Sequence, residues 1–307
     1  MRMLKALDSE IKALYRLVSR GLVAVLALRE GNCGSLRDLT TSLLSISTGF
    51  AVDEGLIVSS FHSISGASRV CVIDSEEESV LEARVEGYDE RWDVALLAVE
   101  GLSKSPLALS RKVPEIGSIV IALGSAYGYG LPALVIGVVS SLGRRVIVGG
   151  KVIEGLMMVE AHSYGGMSGA PLVDVEGVVV GMVIAQEARL GTMFAVPAKW
   201  ISYDIDMLKR RGFVASPRLG ISMALAKVGT HHFRPVITRI EPDSEAERCG
   251  LLPGDVIIEI GEREVFTIED VWEEIYRAAV IGMDIKIAVL RGSRKVERCC
   301  RLATLSP

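Results

Sequence analysis

Three side chains of different chemical type lie at the edges of apolar, strand-like segments and could act together. Ser168 lies in the glycine-rich stretch YGGMSGAPLVD, His62 follows GLIVSSF, and Asp93 opens the apolar run VALLAV. A serine hydroxyl is a weak nucleophile at neutral pH unless a base takes its proton, and a histidine base needs a carboxylate to orient it. The three residue types therefore predict a nucleophile, a base and an orienting group.

Each of the three residues also has an ordinary structural explanation. Glycine-flanked serines are common in turns, and a histidine or an aspartate at a strand end can simply hydrogen-bond to nearby backbone. The combination carries more information, because the chain order His62, Asp93, Ser168 is the order of chymotrypsin-type triads and not that of subtilisin or the α/β-hydrolases. The order favours catalysis over the three separate structural explanations.

The segments that must position these residues are short and rich in valine and isoleucine. Most are four to eight residues long and bounded by Gly, Pro, Ser or Asp, and no long helical pattern interrupts residues 51–197. This pattern is typical of a β-sandwich or β-barrel. Residues 116–143 carry no charge but contain six glycines and Pro132, which predicts two buried strands and a loop, not a membrane-spanning helix.

Helical patterns flank this β-rich region. Leu4, Leu7, Ile11 and Leu14 share one face of an amphipathic N-terminal helix, which could pack on its own domain or against another subunit. Residues 198–212 form a second helical pattern that ends at a glycine. We therefore predict an N-terminal helical segment at 1–16, a β domain at 17–212 that ends in a linker helix, and a smaller α+β domain at 213–307.

Composition excludes several classes of protein. The formal net charge is −4 at pH 7 and basic residues are scattered, which argues against nucleic acid as a partner. The five cysteines form no C-x-x-C pair, so we expect reduced thiols, no disulfide framework, no metal and no cofactor. Charges at Asp8, Glu10 and Lys12 argue against a signal peptide. These features predict a cytoplasmic location.

Five segments resemble, in order and spacing, the protease domain of the HtrA (Deg) serine proteases, and the unit after residue 212 resembles the PDZ domain that follows in that family. The segments are STGFAVDEGLIVSSFHSI, DVALLAV, ALGSAYGYGLPALVIGVVSSLGR, GGMSGAPLVDVEGVVVGMV and FAVPAKWI. The resemblance implies a mainly β fold, a trypsin-like double β-barrel followed by an α+β PDZ domain. His62 and Asp93 would come from the first barrel and Ser168 from the second.

The resemblance also implies roles for individual residues. His62 would be the general base, Asp93 would orient it, and the backbone N–H groups of Gly166 and Ser168 would form the oxyanion hole. His162 and Ile184 are candidates for the substrate pocket, although His162 could equally be a solvent-facing loop residue. The chain departs from the family pattern beside the nucleophile, where Met167 replaces the usual Asn and Ala170 the usual Gly.

In the PDZ-like unit the stretch RLGIS matches the loop that binds a peptide's terminal carboxylate, which implies a site at Arg218, Leu219, Gly220 and Ile221. The alternative is a unit that serves only packing or assembly. The resemblance implies an ATP-independent endopeptidase of protein quality control that cleaves unfolded proteins and assembles as a trimer or a multiple of it. The competing hypothesis is a PDZ-containing chaperone or scaffold with a relic protease fold.

Overall fold

The computed structural model describes residues 2–34, 41–74, 79–126, 132–187, 189–214, 217–228 and 232–304. The chain divides into two compact units, Met1–Ile205 and Asp206–Pro307. This division falls inside a helix, Ala198–Arg211. The domain boundaries expected at residues 16 and 212 stay predictions.

The first unit begins with a six-stranded antiparallel barrel that closes in the order β1-β2-β3-β6-β5-β4. Valine and isoleucine fill its interior, as in Val25, Ile57 and Val72, which are fully buried. The strands are Leu22–Leu28 (β1), Leu43–Asp53 (β2), Leu56–Ser60 (β3), Arg69–Asp74 (β4), Ser79–Asp89 (β5) and Val94–Ala98 (β6).

A second closed barrel follows, with strand order β10-β11-β12-β9-β8-β7. Its strands are Ile119–Gly124 (β7), Ala133–Val148 (β8), Lys151–Glu160 (β9), Pro171–Val173 (β10), Val179–Glu187 (β11) and Thr192–Pro197 (β12). The expected mainly β, double-barrel architecture is therefore confirmed. Strand β8 is continuous over 16 residues, and β-bulges accommodate the shifts in its pairing with β9.

The described helices of this part of the chain include Arg2–Ser19 (α1), Phe61–Ile64 (α2) and Ala198–Arg211 (α3). In α1 the apolar face divides, because Leu14 and Val18 are buried whereas Met3, Leu4 and Leu7 are exposed. Within the described residues, no helix combines the length and the apolar character that crossing a bilayer requires.

The second unit has a five-membered sheet path, β14-β15-β16-β18-β19, with β17 paired to β16 and a small sheet of β13 and β20. The helix that runs beside β14 begins at a capping box formed by Thr267 and Asp270 and ends at Gly282. The elements are Pro217–Arg218 (β13), Ile221–Val228 (β14), His232–Ile240 (β15), Glu245–Arg248 (α4), Val256–Ile260 (β16), Arg263–Glu264 (β17), Ile268–Ile281 (α5), Ile285–Arg291 (β18), Arg294–Cys300 (β19) and Ala303–Thr304 (β20).

The expectation of reduced cysteines was wrong. Cys33 is disulfide-bonded to Cys71 and Cys249 to Cys300, while Cys299 is free and exposed. The bonded partners are 38 and 51 residues apart in sequence. No short spacing motif therefore identifies the pairs. Strand pairing brings the first pair together: Cys33 follows β1 in the chain, and β1 lies beside β4, which carries Cys71.

Candidate active site

His62 and Asp93 form a directly bonded pair in the first barrel. His62 is the second residue of α2, and Asp93 lies in the turn between β5 and β6. Asp93 Oδ2 is 2.5 Å from His62 Nδ1, and Asp93 Oδ1 accepts a hydrogen bond of 2.7 Å from the backbone N–H of His62. The Asp93 carbonyl also accepts from Phe61 N at 2.9 Å. The aspartate therefore orients both the imidazole ring and the helix that carries it.

Asp93 is buried and adopts a left-handed backbone conformation, with φ 57°. Aspartate tolerates this region better than most residues with a Cβ. The conformation turns the chain sharply before β6, where Val94 pairs with Ser60, the residue before α2. The Asp93 carboxylate therefore lies at the N-terminus of α2.

Ser168 lies in a tight turn of the second barrel, and this turn contacts the first barrel. Its carbonyl accepts a hydrogen bond of 2.8 Å from Thr48 N in β2, and Gly169 N donates to Val183 O at 2.7 Å. A Cβ at Gly169 would lie 2.1 Å from Thr48 O and 2.7 Å from Ser59 Oγ. Only glycine fits at this approach, and it brings Ser168 to the end of the strand that precedes His62.

Two backbone donors beside Ser168 are unused. Among the described residues, the N–H groups of Gly166 and Ser168 have no hydrogen-bond acceptor. Thr48 orients this turn, because its Oγ1 donates to Gly166 O at 2.8 Å and accepts from Ser125 N at 2.9 Å. Such a pair of free donors can bind an oxygen that becomes negatively charged.

The hydroxyl of Ser168 is not hydrogen-bonded to His62 in the described part of the structure. The atom that faces His62 Nε2 is Ser63 Oγ, at 3.2 Å, and Ser63 Oγ is in turn 2.6 Å from Ser60 Oγ. The structure thus joins His62 with Asp93 directly and brings Ser168 near them only through its backbone. Catalytic hydrogen bonds are often long in enzymes without substrate.

The two departures from the family pattern face away from this turn. Met167 and Ala170 are fully buried in the core of the second barrel. A Cβ added at Gly124 would touch both. Their side chains fill the barrel and leave the polar groups of the turn unchanged.

The two pocket candidates lie at different depths. His162 is exposed, and its ring lies against Gly191, where an added Cβ would be 2.9 Å from Nε2. Thr192, the next residue, is buried, and its hydroxyl has no hydrogen-bond partner among the described residues. Ile184 is buried at a bulge of β11. The role of both candidates in a pocket stays a prediction.

In the second unit, the predicted carboxylate-binding residues form a connected turn into β14. Leu219 O accepts from Ala246 N and Gly220 O from Glu241 N, at 2.8 and 2.9 Å, whereas the N–H groups of Leu219 and Gly220 have no acceptor among the described residues. A Cβ at Gly220 would lie 2.2 Å from Ser244 Cβ, so glycine is required. Arg218 is exposed and Ile221 buried.

The strand that follows this turn, β14, is an edge strand of its sheet. An edge strand offers unpaired backbone groups to which an extended peptide can add. Helix α5 lies beside it and buries Val271, Ile275 and Tyr276. The unit therefore has the strand edge and the free donors that a peptide terminus needs.

Two polar residues of the site were missed at the sequence level. Thr48 and Ser63 both lie in the segment STGFAVDEGLIVSSFHSI, but nothing in that segment identifies their partners. The fold gives those partners: Thr48 and Gly166 are 118 residues apart. A buried hydroxyl inside the apolar run SISTGFAV was the only available signal for Thr48.

Comparisons with known proteins agree with this arrangement. A model of the trypsin-like peptidase domain matches residues 47–182, and a PDZ domain model matches residues 217–298. The chain is 26% identical over 277 residues to a probable periplasmic serine endoprotease, DegP-like, of Rickettsia conorii, a match that covers 85% of this chain and 54% of that protein. It is 31% identical over 268 residues to the putative serine protease HhoB of Synechocystis, covering 80% and 64%.

Solved structures extend the likeness over nearly the whole chain. A serine endoprotease from Yersinia pestis has a TM-score of 0.67 at 21% identity, covering 95% of this chain and 97% of that one. The HtrA-type protease AlgW with a tripeptide has a TM-score of 0.74 at 22% identity, covering 96% and 97%. These identities establish the shared fold alone. Taken with the two domain models and the named relatives, they show that this chain belongs to the HtrA family of trypsin-like serine proteases with a PDZ domain.

Proposed function

We propose that the chain is an ATP-independent serine endopeptidase that cleaves unfolded polypeptides in protein quality control. The chain spans 54% and 64% of the lengths of the two relatives compared above. The observation that carries the proposal is the bonded His62–Asp93 pair beside a serine whose turn has two free N–H donors.

In the proposed reaction, Ser168 Oγ attacks the carbonyl carbon of the scissile peptide bond while His62 Nε2 takes its proton. Asp93 accepts the Nδ1–H hydrogen bond and stabilises the imidazolium that forms. The carbonyl oxygen becomes an oxyanion and accepts hydrogen bonds from the N–H groups of Gly166 and Ser168. His62 then gives its proton to the leaving amine, and a water molecule repeats the sequence on the acyl-enzyme.

The first step requires His62 Nε2 to exchange Ser63 Oγ for Ser168 Oγ. Both contacts use the same ring nitrogen, since Nδ1 is held by Asp93. The distance of 3.2 Å to Ser63 is long for a hydrogen bond to a hydroxyl. A small shift of the Ser168 turn, driven by substrate, would therefore complete the proposed triad.

Labelling with a fluorophosphonate probe tests the proposal. We expect stoichiometric labelling and cleavage of unfolded casein by the wild type, both lost in Ser168→Ala. Ser163→Ala is the matched control, because Ser163 lies in the same loop and its hydroxyl donates to Gln186 instead. No labelling of the wild type, with or without an added peptide, would favour the non-proteolytic scaffold.

His162 is proposed to shape the residue preference of the site. Its ring and the hydroxyl of buried Thr192, which has no partner among the described residues, flank Gly191. Two polar groups therefore lie together there, and His162 is six residues before the nucleophile. We expect cleavage-site profiles to shift toward large aliphatic residues in His162→Ala. An unchanged preference before the cut contradicts this role.

The PDZ unit is proposed to bind extended peptides or peptide C-termini at Arg218 to Ile221. The free N–H groups of Leu219 and Gly220 support carboxylate binding, and β14 supports strand addition. A peptide with a free C-terminus should bind more tightly than its amide, measured by fluorescence anisotropy. Equal affinities for the free acid and the amide would favour a PDZ unit that serves only packing or assembly.

The chain is further proposed to form a homo-oligomer, a trimer or a multiple of it, through α1. Met3, Leu4 and Leu7 are 82%, 67% and 55% exposed on one side of this helix, a surface that a second copy can bury. Light scattering should report a multimer for the wild type and a smaller particle for Leu4→Ser with Leu7→Ser.

The cytoplasmic location stays a prediction, and the disulfides weigh against it. Structural disulfides are typical of oxidising compartments, and the Rickettsia relative is named periplasmic. Alkylation of thiols during isolation decides the point. Modification of Cys299 alone supports an oxidising compartment, and modification of all five cysteines supports the cytoplasm.

A further inference from the structure

A buried pair of carboxyl groups adjoins the turn that carries Asp93. Asp89 is the last residue of β5, and Asp204 lies in the middle of α3; both are 0% exposed. Asp89 pairs with Val94 across the hairpin, so the turn is the four-residue segment 90–93. Any group that holds Asp89 holds one end of this turn.

Asp204 faces Asp89 without a conventional donor. Neither of its carboxyl oxygens receives a hydrogen bond from the described residues. Two ionised carboxylates in contact would repel each other in a site without water. Burial in the first place, and the neighbouring Asp89 in the second, raise the pKa of Asp204 well above its ordinary value. This favours the protonated acid, whose O–H can donate to Asp89.

A second contact from α3 reaches the same turn. The rings of Trp92 and Trp200 stack with centroids 4.3 Å apart and planes 10° apart, and both are buried. Trp200 and Asp204 are four residues apart and therefore lie on one face of the helix. Helix α3 thus contacts the hairpin at Asp89 and at Trp92, the residue that directly precedes Asp93.

Two polar contacts outside α3 also act on the turn. The ion pair between Lys151 and Glu90 is partly exposed, and such pairs contribute little. Inside the turn, Arg91 N donates to Asp89 Oδ1 at 2.8 Å, which again makes Asp89 the anchor. Helix α3 adds to these contacts a buried hold on the turn at both Asp89 and Trp92.

We infer that Asp204 is a positioning residue for Asp93: through Asp89, and with the Trp92–Trp200 stack one turn away, it holds segment 90–93 so that the Asp93 carboxylate reaches both Nδ1 and the backbone N–H of His62. The inference rests on the proposed protease function for its catalytic consequence. The restraint on the turn itself is independent of activity.

The test compares Asp204→Ala with Asp204→Asn, whose amide N–H can still donate to Asp89. Asp206→Ala is the matched control, an aspartate on the same helix about 200° further around. Hydrogen–deuterium exchange of the peptide covering residues 89–94 measures the restraint, and the rate of fluorophosphonate labelling of Ser168 measures its catalytic effect. In Asp204→Ala we expect faster exchange and labelling slowed about 10- to 100-fold. Asp204→Asn should label within about threefold of the wild type, because it restores the donor.

Each outcome decides a separate point. Unchanged exchange in Asp204→Ala overturns the inference. Faster exchange with wild-type labelling overturns the catalytic part and leaves a structural carboxyl pair. If the wild type is not labelled at all, the proposed function fails, while the exchange data still decide the restraint. Should Asp204→Ala not fold, Asp204→Leu replaces it, since leucine resembles aspartate in branching but has no donor for Asp89, and the same outcomes apply.

Discussion

The two barrels contribute to the candidate site in opposite ways. In the first barrel both oxygens of Asp93 are bonded to His62, one at the ring and one at the backbone. In the second barrel the described residues leave the N–H groups of Gly166 and Ser168, and the hydroxyl of Ser168, without partners. The first barrel holds a completed acid–base pair, and the second holds groups that are ready for a ligand.

This difference follows from what each barrel must do. A buried carboxylate is costly unless it is hydrogen-bonded, so Asp93 needs its partners before substrate arrives. Donors that stabilise a transition state must be oriented but unoccupied. Thr48, a first-barrel residue, performs this orientation by bonding to the backbone of the Ser168 turn. The four predictions that follow perturb each side of this comparison.

The largest effect is expected when the bonded pair of the first barrel is broken. Asp93→Asn should lower kcat about 10⁴-fold, because an amide cannot hold the required imidazole tautomer. Asp174→Asn is the matched control: Asp174 also accepts backbone N–H bonds, from Glu176 and Val178, but has no histidine partner. Steady-state kinetics on a chromogenic ester measures both, and equal losses would refute the special role of Asp93.

The next effect concerns the disulfide of the first barrel, which joins Cys33, in the loop after β1, to Cys71 in β4. Replacing Cys33 and Cys71 by serine should lower the free energy of unfolding by about 2–4 kcal/mol, since the unfolded chain loses a cross-link. Urea unfolding measures the change, with exposed Cys299→Ser as the control. A wild type whose stability is insensitive to reductant would contradict it.

Loss of the link between the barrels should affect the second barrel's donors. Thr48→Val keeps the shape but removes the hydroxyl that bonds Gly166 O and Ser125 N. We expect a 10- to 100-fold lower kcat, an order-of-magnitude figure for small misplacement of catalytic groups. Thr48→Ser should restore most of it, and a silent Thr48→Val would show that the turn orients itself.

The smallest effect is expected when the Ser63 hydroxyl, which contacts His62 Nε2, is removed. Ser63→Ala frees His62 Nε2, and we expect probe labelling of Ser168 to become about 2- to 10-fold faster, the range expected for one hydrogen bond. Ser60→Ala, which removes only the neighbouring hydroxyl of the pair, serves as the comparison. Slower labelling in Ser63→Ala would mean that Ser63 supports catalysis instead of competing with it.

Local patterns determined much of what the sequence predicted correctly. The valine- and isoleucine-rich segments predicted the strands of both barrels, because burial on a β-sheet selects these residues wherever the strand pairs. The helix at Ala198–Arg211 was also recognised from its apolar pattern. The chain order of His62, Asp93 and Ser168 selected the triad hypothesis before any fold was known.

Only the tertiary structure decided which residues far apart in sequence are in contact. The disulfide partners of Cys33 and Cys249, the bonding of Thr48 to Gly166, and the pairing of Asp89 with Asp204 leave no trace in local spacing. The packing of strands and helices brings these residues together: Asp204 lies in α3, and Cys249 directly follows α4. The sequence by itself therefore determined which elements form and which residue types are present for chemistry. The closure of the barrels decided which of those residues meet, since a hydrogen bond acts over about 3 Å and the chain positions it joins can be more than a hundred residues apart.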